Sequence, residues 1–536
     1  MATDQEYYAS RIREVVDGHW LLGDIYYSDN KDAPFVQPPL PEWVQARIGL
    51  GFGLGIGGTV VLCKFLFGFL LFLSMALFCA RLFGRPWLAI LATSSVLFSW
   101  FLFASPWVFL SAIEGNPVGV SVARFSRLTN PQFTSTLFFF ALWTFVGWLQ
   151  AGKRRSLIIS GILTGLTFYA YVYAWTYLLS AFGLFFVWML IRREWSKVRD
   201  LFLLFGMTLL VALPYSIYLL TEIIPHPAYP DLAARIGMLL SHAPLWGTWA
   251  AISIVIALAF GKTLTPYPAF LSSLALAGIV VLNQQILTGK PIVPHHYHWY
   301  YIHPFAIVLV VMLGGVLLTR LIRSRGVQTL LWSLALCVIV FWGITFQADA
   351  YQAQRVAWGV RQNQAGLLFF FNDPAYRDLT LYAPDDLHDL ITVYTPMNVT
   401  YAVNTSNCCL TPTSRLRDAY FLDLWIEGLD PAEAASQFLG PRREDVSRRI
   451  YGIYYRELTG SYDGTPDDVL REEADRYGEY VRLSLCAKFS RQPLDFVAWP
   501  VSRRITEALQ KVIGGAELIY ADSAYRVWDV RSVCSR

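Results

Sequence analysis

The sequence predicts a polytopic α-helical membrane protein of about ten spans that ends in a soluble α/β domain. Of its 536 residues, 55% are hydrophobic and only 15% are charged, whereas a soluble domain usually carries about 25% charged residues. Apolar runs long enough to cross a bilayer recur between residues 59 and 346. After residue 346 the composition becomes mixed and polar.

The chain therefore divides into three predicted parts. Residues 1–58 form a first outer loop with an acidic cluster, and its Gly-rich stretch 47–58, "RIGLGFGLGIGG", is predicted to be a short interfacial helix and turn. Residues 59–346 form the transmembrane domain, and residues 347–536 form the α/β domain. The first 46 residues contain neither a signal peptide nor an apolar run.

The predicted spans follow the apolar runs. They cover 59–83, 87–104, 134–151, 156–173, 175–191, 201–222, 245–261, 267–287, 302–322 and 327–346.

Basic clusters orient these spans. Four of them, near Arg81 and in 153–155, 192–199 and 320–325, fall on one side when spans alternate, and the positive-inside rule makes that side cytoplasmic. We therefore expect a multi-pass protein of the plasma (inner) membrane whose tail is extracytoplasmic. The net charge of +4 is small and no basic stripe is visible, so nucleic acid is not an expected partner.

The tail alternates between strand and helix patterns. "LTLYAPDDLHDLITVYT" followed by "NVTYAV" predicts strand, helix and strand, and "DFVAWP" and "ELIYADSAYRVWDV" predict strands near the end. Such alternation is typical of an α/β domain. No nucleotide-binding motif is present.

The seven cysteines do not indicate a disulfide framework. Cys408 and Cys409 are adjacent, and neighbouring cysteines rarely bond each other. If the tail is extracytoplasmic, Cys486 or Cys534 is a candidate partner for one of them.

Three constellations on the outer side contain residues that can carry chemistry. The first is "DQEYY", with Asp4, Glu6, Tyr7 and Tyr8. The two carboxylates are either the solvated, capped end of a helix or a general base and cation ligand at the membrane face. The prolines of "VQPPLP" stiffen the segment that follows, because proline fixes φ.

The second constellation is "SVARFSRLTNPQFTS". Arg124 and Arg127 are three residues apart, so on a helix they would share a face. They lie on the outer side, where the positive-inside rule disfavours them. They either pair with carboxylates or clamp a phosphate, for which the guanidinium fork is suited.

The third constellation is "GKPIVPHHYHWYYIHP". Its basic and aromatic residues are Lys290, His295, His296, His298, His303, Trp299, Tyr300 and Tyr301. His296 and His298 alternate as on an extended segment, which would let them share a ligand. No third ligand at zinc spacing is visible. The segment is either an interfacial aromatic belt or a binding site for an anionic headgroup or a sugar.

These motifs in this order resemble the GT-C superfamily of integral-membrane glycosyltransferases, which includes protein O-mannosyltransferases, aminoarabinose transferases and oligosaccharyltransferases. The resemblance rests on "DQEYY", "RFSRLTNPQ", "GLTFYAYVYAWT" and "HHYHWYY", followed by an outer soluble domain. It implies a polyprenyl-phosphate-linked sugar donor, an acceptor lipid, glycan or protein on the outer face, and inversion at the anomeric carbon. The family normally has a span before the acidic loop, so we expect Met1 to lie inside a longer reading frame.

The resemblance also implies roles for individual residues. Asp4 matches the catalytic acidic position, and Glu6 would support it or bind a divalent cation such as Mg²⁺ or Mn²⁺. The candidates for donor phosphate contact are Arg124, Arg127, Lys290, His295, His296 and His298. The candidates for sugar or lipid contact are Tyr7, Tyr8, Trp299 and Tyr300.

Two other functions compete with this one. A transporter or flippase for a lipid-linked saccharide would show polar residues at mid-span and two matching halves, and neither is evident in the sequence. A non-catalytic membrane scaffold that displays the α/β domain would leave the clustering of acid, Arg and His on one side unexplained.

The predicted topology can be tested with reporter fusions. Fusions after residues 153 and 325 should report the cytoplasm, because basic loops stay inside, and a fusion at residue 400 should report the outside. Two reporters are fused at each position, one active only outside the cytoplasm and one active only in the cytoplasm, and their activities are compared. A cytoplasmic signal at residue 400 would contradict the topology.

Overall fold

The computed structural model describes residues 3–104, 124–238, 240–384, 387–402, 404–452 and 465–534, except for the side chains of residues 3, 4, 100–104 and 124. The chain forms two compact units. The head–tail unit comprises Met1–Thr59, Tyr218–Leu239 and Ala357–Arg536, and the membrane unit comprises Val60–Ile217 and Leu240–Val356. The segments that the sequence predicts as head and tail thus belong to one unit.

Helices dominate the described chain. Up to residue 235 the α-helices are α1 (Thr3–Asp17), α2 (Leu40–Gly51), α3 (Ile56–Phe83), α4 (Pro86–Ala104), α5 (Thr134–Ala151), α6 (Arg154–Leu166), α7 (Val172–Ile191), α8 (Trp195–Tyr218) and α9 (Tyr229–Arg235). From there to residue 371 they are α10 (Thr248–Leu264), α11 (Pro268–Leu282), α12 (Gln285–Thr288), α13 (Pro294–Tyr297), α14 (His303–Leu321), α15 (Arg325–Gln362) and α16 (Ala365–Phe371).

Several helices of the described chain are long and apolar enough to cross a membrane. These six segments are Ile56–Phe83, Leu128–Ala151, Val172–Ile191, Trp195–Ile223, Pro294–Leu321 and Arg325–Gln362. Three shorter apolar helices are Pro86–Ser99, Thr248–Leu264 and Pro268–Leu282. The helical, multi-pass character predicted from the sequence is confirmed, whereas the count of about ten spans stays a prediction.

The predicted span 156–173 is one place where the structure differs from the expectation. Its helix, α6, has 13 residues and ends in a 3-10 turn at Thr167–Tyr169. At 1.5 Å per residue this is shorter than the roughly 30 Å hydrocarbon core. α6 packs tightly on α8, because a Cβ at Gly165 would lie 2.6 Å from the Val211 side chain. Small residues allow such close approach between helices.

Two arginines at helix ends connect four helices within the membrane unit. Arg81 at the end of α3 donates to the Trp143 carbonyl of α5 at 3.1 Å, and Gln150 donates to the Arg81 carbonyl at 3.0 Å. Arg154 at the start of α6 pairs with Asp200 of α8 at 3.0 Å. Three of the predicted cytoplasmic clusters therefore border one end of this unit, which we call the basic end.

The tail contains a five-stranded sheet, as the strand–helix alternation predicts. Its strands are β1 (Thr380–Tyr382), β2 (Asn398–Val399), β3 (Phe496–Pro500), β4 (Glu517–Ala521) and β5 (Tyr525–Asp529), in the spatial order β2-β1-β3-β5-β4. β1 is parallel to β2 and β3, with Leu381 opposite Val399 and Phe496, and β5 is antiparallel to β3 and β4.

Helices cover both faces of this sheet. The remaining helices are α17 (Leu387–Tyr394), α18 (Thr405–Cys408), α19 (Thr413–Glu427), α20 (Ala434–Leu439), α21 (Arg443–Tyr451), α22 (Asp467–Arg482), α23 (Leu485–Arg491) and α24 (Glu507–Ile513). Tyr382 and Val497 pack into one core with α19, α21 and α22. On the other face, the Phe371 ring of α16 lies 5.7 Å from the Phe496 ring.

The cysteines pair differently from the expectation. Cys408 bonds its neighbour Cys409, and Cys486 bonds Cys534. The fold brings the Cα atoms of Cys486 and Cys534 to 5.3 Å, inside the usual disulfide range. Because Cys486 and Cys534 bond each other, neither is available to Cys408 or Cys409, and these two neighbours bond each other. All four bonded cysteines lie in the tail, and the three free ones, Cys63, Cys79 and Cys337, lie in α3 and α15.

Candidate functional site

The acidic cluster lies in the first turn of α1, in the head–tail unit. The backbone of Asp4 is helical, but its side chain lies outside the described residues. Glu6 forms an ion pair with Arg361 near the end of α15. The Oε2 atom of Glu6 is buried and has no hydrogen-bond partner in the described part of the chain. The role of Asp4 as a general base therefore stays a prediction. Two residues later, Glu6 has one carboxylate oxygen without a hydrogen-bond partner among the described residues.

The tyrosines that follow are packed rather than open. The Tyr7 hydroxyl donates to Oε1 of Gln37 at 3.2 Å. Burial raises the pKa of Tyr7 to about 12, so this hydroxyl stays protonated at neutral pH and acts as a hydrogen-bond donor. The Tyr8 ring lies 5.2 Å from the Tyr7 ring and is 7% exposed.

A buried ion pair locks α1 against α2. Arg11 Nε donates to Glu42 Oε1 at 2.7 Å, and the two side chains are only 2% and 0% exposed. Arg11 also donates to the Gln37 carbonyl at 2.9 Å. Burial by itself would lower the pKa of Arg11, but the Glu42 carboxylate raises it above its ordinary value. Arg11 therefore stays charged, and its ion pair with Glu42 orients the helix that bears Asp4 and Glu6.

In the membrane unit, Arg127 lies on an irregular segment. The chain makes a 3-10 turn at Arg124–Ser126, becomes extended at Arg127 (φ −75°, ψ 129°) and enters a π-helix at Leu128–Phe133. Arg124 and Arg127 are therefore not on one helix, contrary to the expectation of a shared face. Asn130 precedes Pro131 and is also extended, because proline disfavours helical backbone at the residue before it. The Arg124 side chain lies outside the described residues.

Hydrogen bonds to neutral groups orient the Arg127 guanidinium. Its Nε donates to the Asn130 carbonyl at 3.0 Å, and its Nη2 donates to the hydroxyl of Tyr300. The guanidinium carbon also lies 5.5 Å from the centre of the Tyr300 ring, within the range of a cation–π contact. Tyr300 is thus the residue of the third constellation that contacts the second.

His296 lies in the same cluster. Its Nδ1 is 2.7 Å from the Tyr171 hydroxyl, and its ring centre is 4.8 Å from that of Tyr173 and 5.7 Å from that of Tyr300. The centre of the Trp299 ring lies 5.9 Å from that of His296, so four aromatic side chains contact this imidazole. The fold therefore brings an imidazole and a guanidinium to the same tyrosine.

His298 points elsewhere, which corrects the expectation that His296 and His298 share a ligand. Residues 294–302 are helical, as α13 and a π-helix, rather than extended. On a helix, residues two apart do not face each other. A Cβ at Gly247 would lie 2.6 Å from the His298 ring, so His298 packs against α10. The π-helix ends just before Pro304, which cannot donate a backbone hydrogen bond.

The other predicted contacts lie at the rim. His295 is exposed, with its ring centre 5.4 Å from that of Trp299. Lys290 is exposed and follows the left-handed Gly289 (φ 70°), in the loop between α12 and α13. Arg127, Tyr171, His296 and Tyr300 therefore form the centre of the cluster, which we call the basic–aromatic cluster.

The basic–aromatic cluster and the basic end lie at opposite ends of α5. The irregular segment with Arg127 leads into the start of α5, and Gln150, which contacts Arg81, is near its end. The α5 helix has 18 residues, or about 27 Å at 1.5 Å per residue. The cluster and the predicted cytoplasmic loops thus border opposite ends of the membrane unit.

A metal centre is not apparent in the part of the chain that the structure describes. No group of three or more His, Cys, Asp or Glu side chains there could coordinate a metal ion. A divalent cation at Asp4 and Glu6 stays a prediction, because the Asp4 side chain lies outside that part.

Sequence reasoning missed four residues of these sites. Tyr171 and Tyr173, in "FYAYVYAW", look like an ordinary aromatic belt, and only the break between α6 and α7 places them beside His296. Glu42 and Arg361 lie 36 and 355 residues from Glu6, so no local pattern joins them to it. The signal available for Glu42 was its carboxylate among the apolar residues at the start of α2.

Comparison with known proteins finds similarity to solved structures, among them two of one protein. No family model and no curated protein matches the chain. The crystal structure of ArnT from Cupriavidus metallidurans bound to undecaprenyl phosphate has 13% identity and a TM-score of 0.49, and covers 98% of this chain and 93% of that chain. The same ArnT in the apo state has 12% identity and a TM-score of 0.47, with 99% and 93% covered. At these values the likeness identifies no functional residue, and ArnT is a GT-C family aminoarabinose transferase.

The buried pair predicts a large effect on stability. Glu42→Ala leaves the Arg11 charge buried without its partner, and we expect a loss of about 3–5 kcal/mol of unfolding free energy. Glu472→Ala is the control, because its pair with Arg476 is 60% and 39% exposed and exposed pairs contribute about 0–1 kcal/mol. The unfolding free energy of both variants is measured by denaturant unfolding in detergent, with the unfolded fraction detected by its susceptibility to proteolysis. Equal losses would contradict the role of the Arg11–Glu42 pair.

Proposed function

We propose that this protein is a membrane glycosyltransferase that moves a sugar from a polyprenyl-phosphate-linked donor to an acceptor on the extracytoplasmic face. The observation that carries the proposal is the basic–aromatic cluster of the membrane unit. There an oriented guanidinium, an imidazole and phenol groups meet at the ends of apolar helices, where a lipid-borne phosphate and sugar would lie.

The cluster suits a phosphate that carries a sugar. A guanidinium presents donors in a planar fork that matches phosphate oxygens. Arg127 is oriented by Tyr300 and the Asn130 carbonyl before any ligand binds, which lowers the entropic cost of binding. Aromatic faces such as those of Tyr173 and Trp299 suit the apolar face of a sugar ring. Lys290 and His295 at the rim add donors for the same anion.

The proposed reaction is a single displacement with inversion. Asp4 accepts the proton of the acceptor hydroxyl while that oxygen forms a bond to the anomeric carbon. The bond between the anomeric carbon and the phosphate oxygen breaks, and its electron pair leaves with the polyprenyl phosphate. Arg127 and His296 stabilise the charge that develops on this phosphate, as preorganised donors do in other transfer reactions.

Glu6 has a supporting part in this proposal. Its ion pair with Arg361 fixes the first turn of α1, on which Asp4 lies two residues earlier. A positioned base must remain within hydrogen-bond reach of its proton, and a frayed helix end would lose that geometry. If a divalent cation participates, the buried second oxygen of Glu6 is available to it.

One observation supports an extracytoplasmic tail, and a second supports an outward-facing basic–aromatic cluster. The tail contains both disulfides, and such bonds persist in oxidising compartments and are rare in the cytoplasm. The basic end of the membrane unit lies at the opposite end of α5 from the basic–aromatic cluster, as the positive-inside rule requires of an outward-facing site.

The direct test of the function uses the purified full-length protein. It is incubated with a panel of polyprenyl-phosphate sugars and candidate acceptors, and released polyprenyl phosphate is measured by mass spectrometry. Release that depends on acceptor supports the proposal. Binding of the donors without release would favour a carrier or a scaffold.

Arg127→Ala is predicted to weaken donor binding much more than it weakens folding. A charge-assisted hydrogen bond to phosphate contributes about 1.5–3 kcal/mol, or about 10- to 150-fold in affinity. Arg154→Ala, at the basic end, is the matched control and should leave affinity unchanged. Affinity is measured by titration with a short-chain polyprenyl-phosphate sugar, and thermal stability is recorded alongside. Unchanged affinity with a lower melting temperature would show that Arg127 is structural.

Asp4→Asn is predicted to reduce turnover by at least about 100-fold and to leave donor affinity nearly unchanged. The amide keeps the shape but removes the basic oxygens, and a positioned base contributes about 10²- to 10⁴-fold. Asp17→Asn is the control at the other end of α1, where the carboxylate pairs with Arg13. Glu6→Gln should cost less, unless both carboxylates bind a cation, in which case both variants fail and turnover depends on Mg²⁺ or Mn²⁺. Normal turnover of Asp4→Asn would reduce Asp4 to a helix cap.

A further inference from the structure

The tail sheet has a point at which the direction of strand addition reverses. β2 follows β1 through α17 on one side, whereas β3 lies on the other side of β1, and all three strands are parallel. In open α/β sheets, ligands bind in the crevice outside the carboxyl ends of the strands at such a switch point. Here the switch point lies between the ends of β1 and β3, at Tyr382 and Pro500.

Two carboxylates of α19 lie over these strand ends. The Tyr382 hydroxyl donates to Asp423 Oδ1 at 2.9 Å, which places Asp423 at the end of β1. One turn later, Glu427 Oε1 is 3.9 Å from Nη1 of Arg503, in the loop after β3. Burial, and then the charge of Asp423, raises the pKa of Glu427. These two carboxylates therefore contact the ends of both strands that flank the switch point.

Two arginines of the α21 segment face the same place. Arg442 and Arg449 are seven residues apart, so they share a helix face. Arg449 Nη1 donates to Asp423 Oδ2 at 2.7 Å, and Arg442 Nη2 donates to Glu427 Oε2 at 3.2 Å. Their side chains are 26% and 31% exposed. Both guanidiniums thus combine a fixed contact with access to solvent.

Two aromatic rings hold the Arg449 guanidinium in addition to its ion pair with Asp423. Its guanidinium carbon lies 4.3 Å from the centre of the Tyr401 ring and 5.0 Å from that of Tyr420. Arginine has five N–H donors in a fixed fork, and Arg449 uses one of them in a hydrogen bond within the described part of the chain. Its other donors have no hydrogen-bond acceptor among the residues that the structure describes.

A buried donor at the end of β3 provides an independent observation. Trp499 is 4% exposed, and its Nε1 has no hydrogen-bond partner among the described residues. Its ring is stacked with that of Tyr382, whose hydroxyl reaches Asp423. Buried donors in native proteins are almost always satisfied, so this N–H calls for an acceptor that the described chain does not supply.

A purely structural salt-bridge network is the competing explanation. Arg442, Arg449 and Arg503 are balanced by Asp423 and Glu427, and Asp445 adds a third carboxylate near Arg449. Net charge therefore does not favour an anion. The unused donors of Arg449 do, because its part-buried ion pair with Asp423 does not account for the rest of an oriented guanidinium fork at a switch point.

We propose that this switch point is a binding site for a phosphate group, either of a soluble sugar phosphate or of a lipid headgroup. The phosphate oxygens would accept hydrogen bonds from the free edges of Arg449 and Arg442. The site belongs to the tail and is separate from the transfer chemistry proposed above. It gives the α/β domain a role as a recognition module for phosphorylated molecules.

The test uses the full-length protein in phosphatidylcholine nanodiscs, with Arg127→Ala present so that the basic–aromatic cluster does not contribute. Calorimetric titration with glucose 1-phosphate should show binding, and glucose should show none. Arg449→Gln should weaken this binding about 10- to 100-fold, as the loss of a charge-assisted contact does. Arg448→Gln, an exposed arginine on the same helix, is the control and should change it less than about twofold.

A second arm identifies the source of the phosphate. The same proteins are mixed with phosphatidylcholine vesicles that contain or lack phosphatidic acid, and co-sedimentation is measured. Binding to phosphatidic acid alone, lost in Arg449→Gln, supports a lipid headgroup, and binding to glucose 1-phosphate alone supports a soluble ligand. Arg442→Gln leaves the Asp423 pair intact and keeps the test decisive if Arg449→Gln unfolds. No binding to either probe, or equal losses with Arg448→Gln, would overturn the proposal.

Discussion

The buried carboxylate of Asp24 connects the head to the tail, because it binds the segment after α1 to Thr411 of the tail. Asp24 is 1% exposed and accepts hydrogen bonds from the backbone N–H groups of Tyr26 and Tyr27 and from the hydroxyl of Thr411, nearly 400 residues away. A buried carboxylate without such donors would be strongly destabilising. Beside it, the Val399 N–H of edge strand β2 donates to the Tyr26 carbonyl at 3.0 Å. The first segment is therefore folded as part of the α/β unit, and α1 takes its orientation from that unit.

In the membrane unit, polar side chains form hydrogen bonds with one another and with backbone carbonyls rather than with water. Arg127 donates to Tyr300 and to the Asn130 carbonyl, Tyr171 contacts His296, and Thr134 donates to Asn130. In an apolar setting each unpaired group would be costly, so every member of this network restricts the orientation of its neighbours. The irregular segments before α5 and before α14 carry the residues that we propose bind a phosphate, and preorganisation of this kind is what a binding site requires.

Local patterns predicted the elements far better than they predicted their contacts. Hydropathy identified the apolar helices, and strand–helix alternation identified the α/β tail, because both are set by periodicity along the chain. The shared faces of Arg124 with Arg127 and of His296 with His298 were wrong, because each depended on whether a short segment is helical or extended. Prolines at 131 and 304 and packing against neighbouring helices decided that. The cysteine pairing likewise depended on where the fold placed Cys534, 48 residues after Cys486.

The sequence by itself determined the class of the protein, the apolar helices and the residue types that could act, since composition and periodicity are local properties. It placed Arg127, His296 and Tyr300 among the candidates, but it gave no reason to single them out from Lys290, His295 or His298. Only the tertiary structure decided that Arg127 and His296 meet at Tyr300, that Arg361 and Glu42 support α1, and that Arg449 lies at a switch point of the tail sheet. The physical reason is that burial and pairing of charged groups are set by elements far apart in the chain, whose approach no local pattern records.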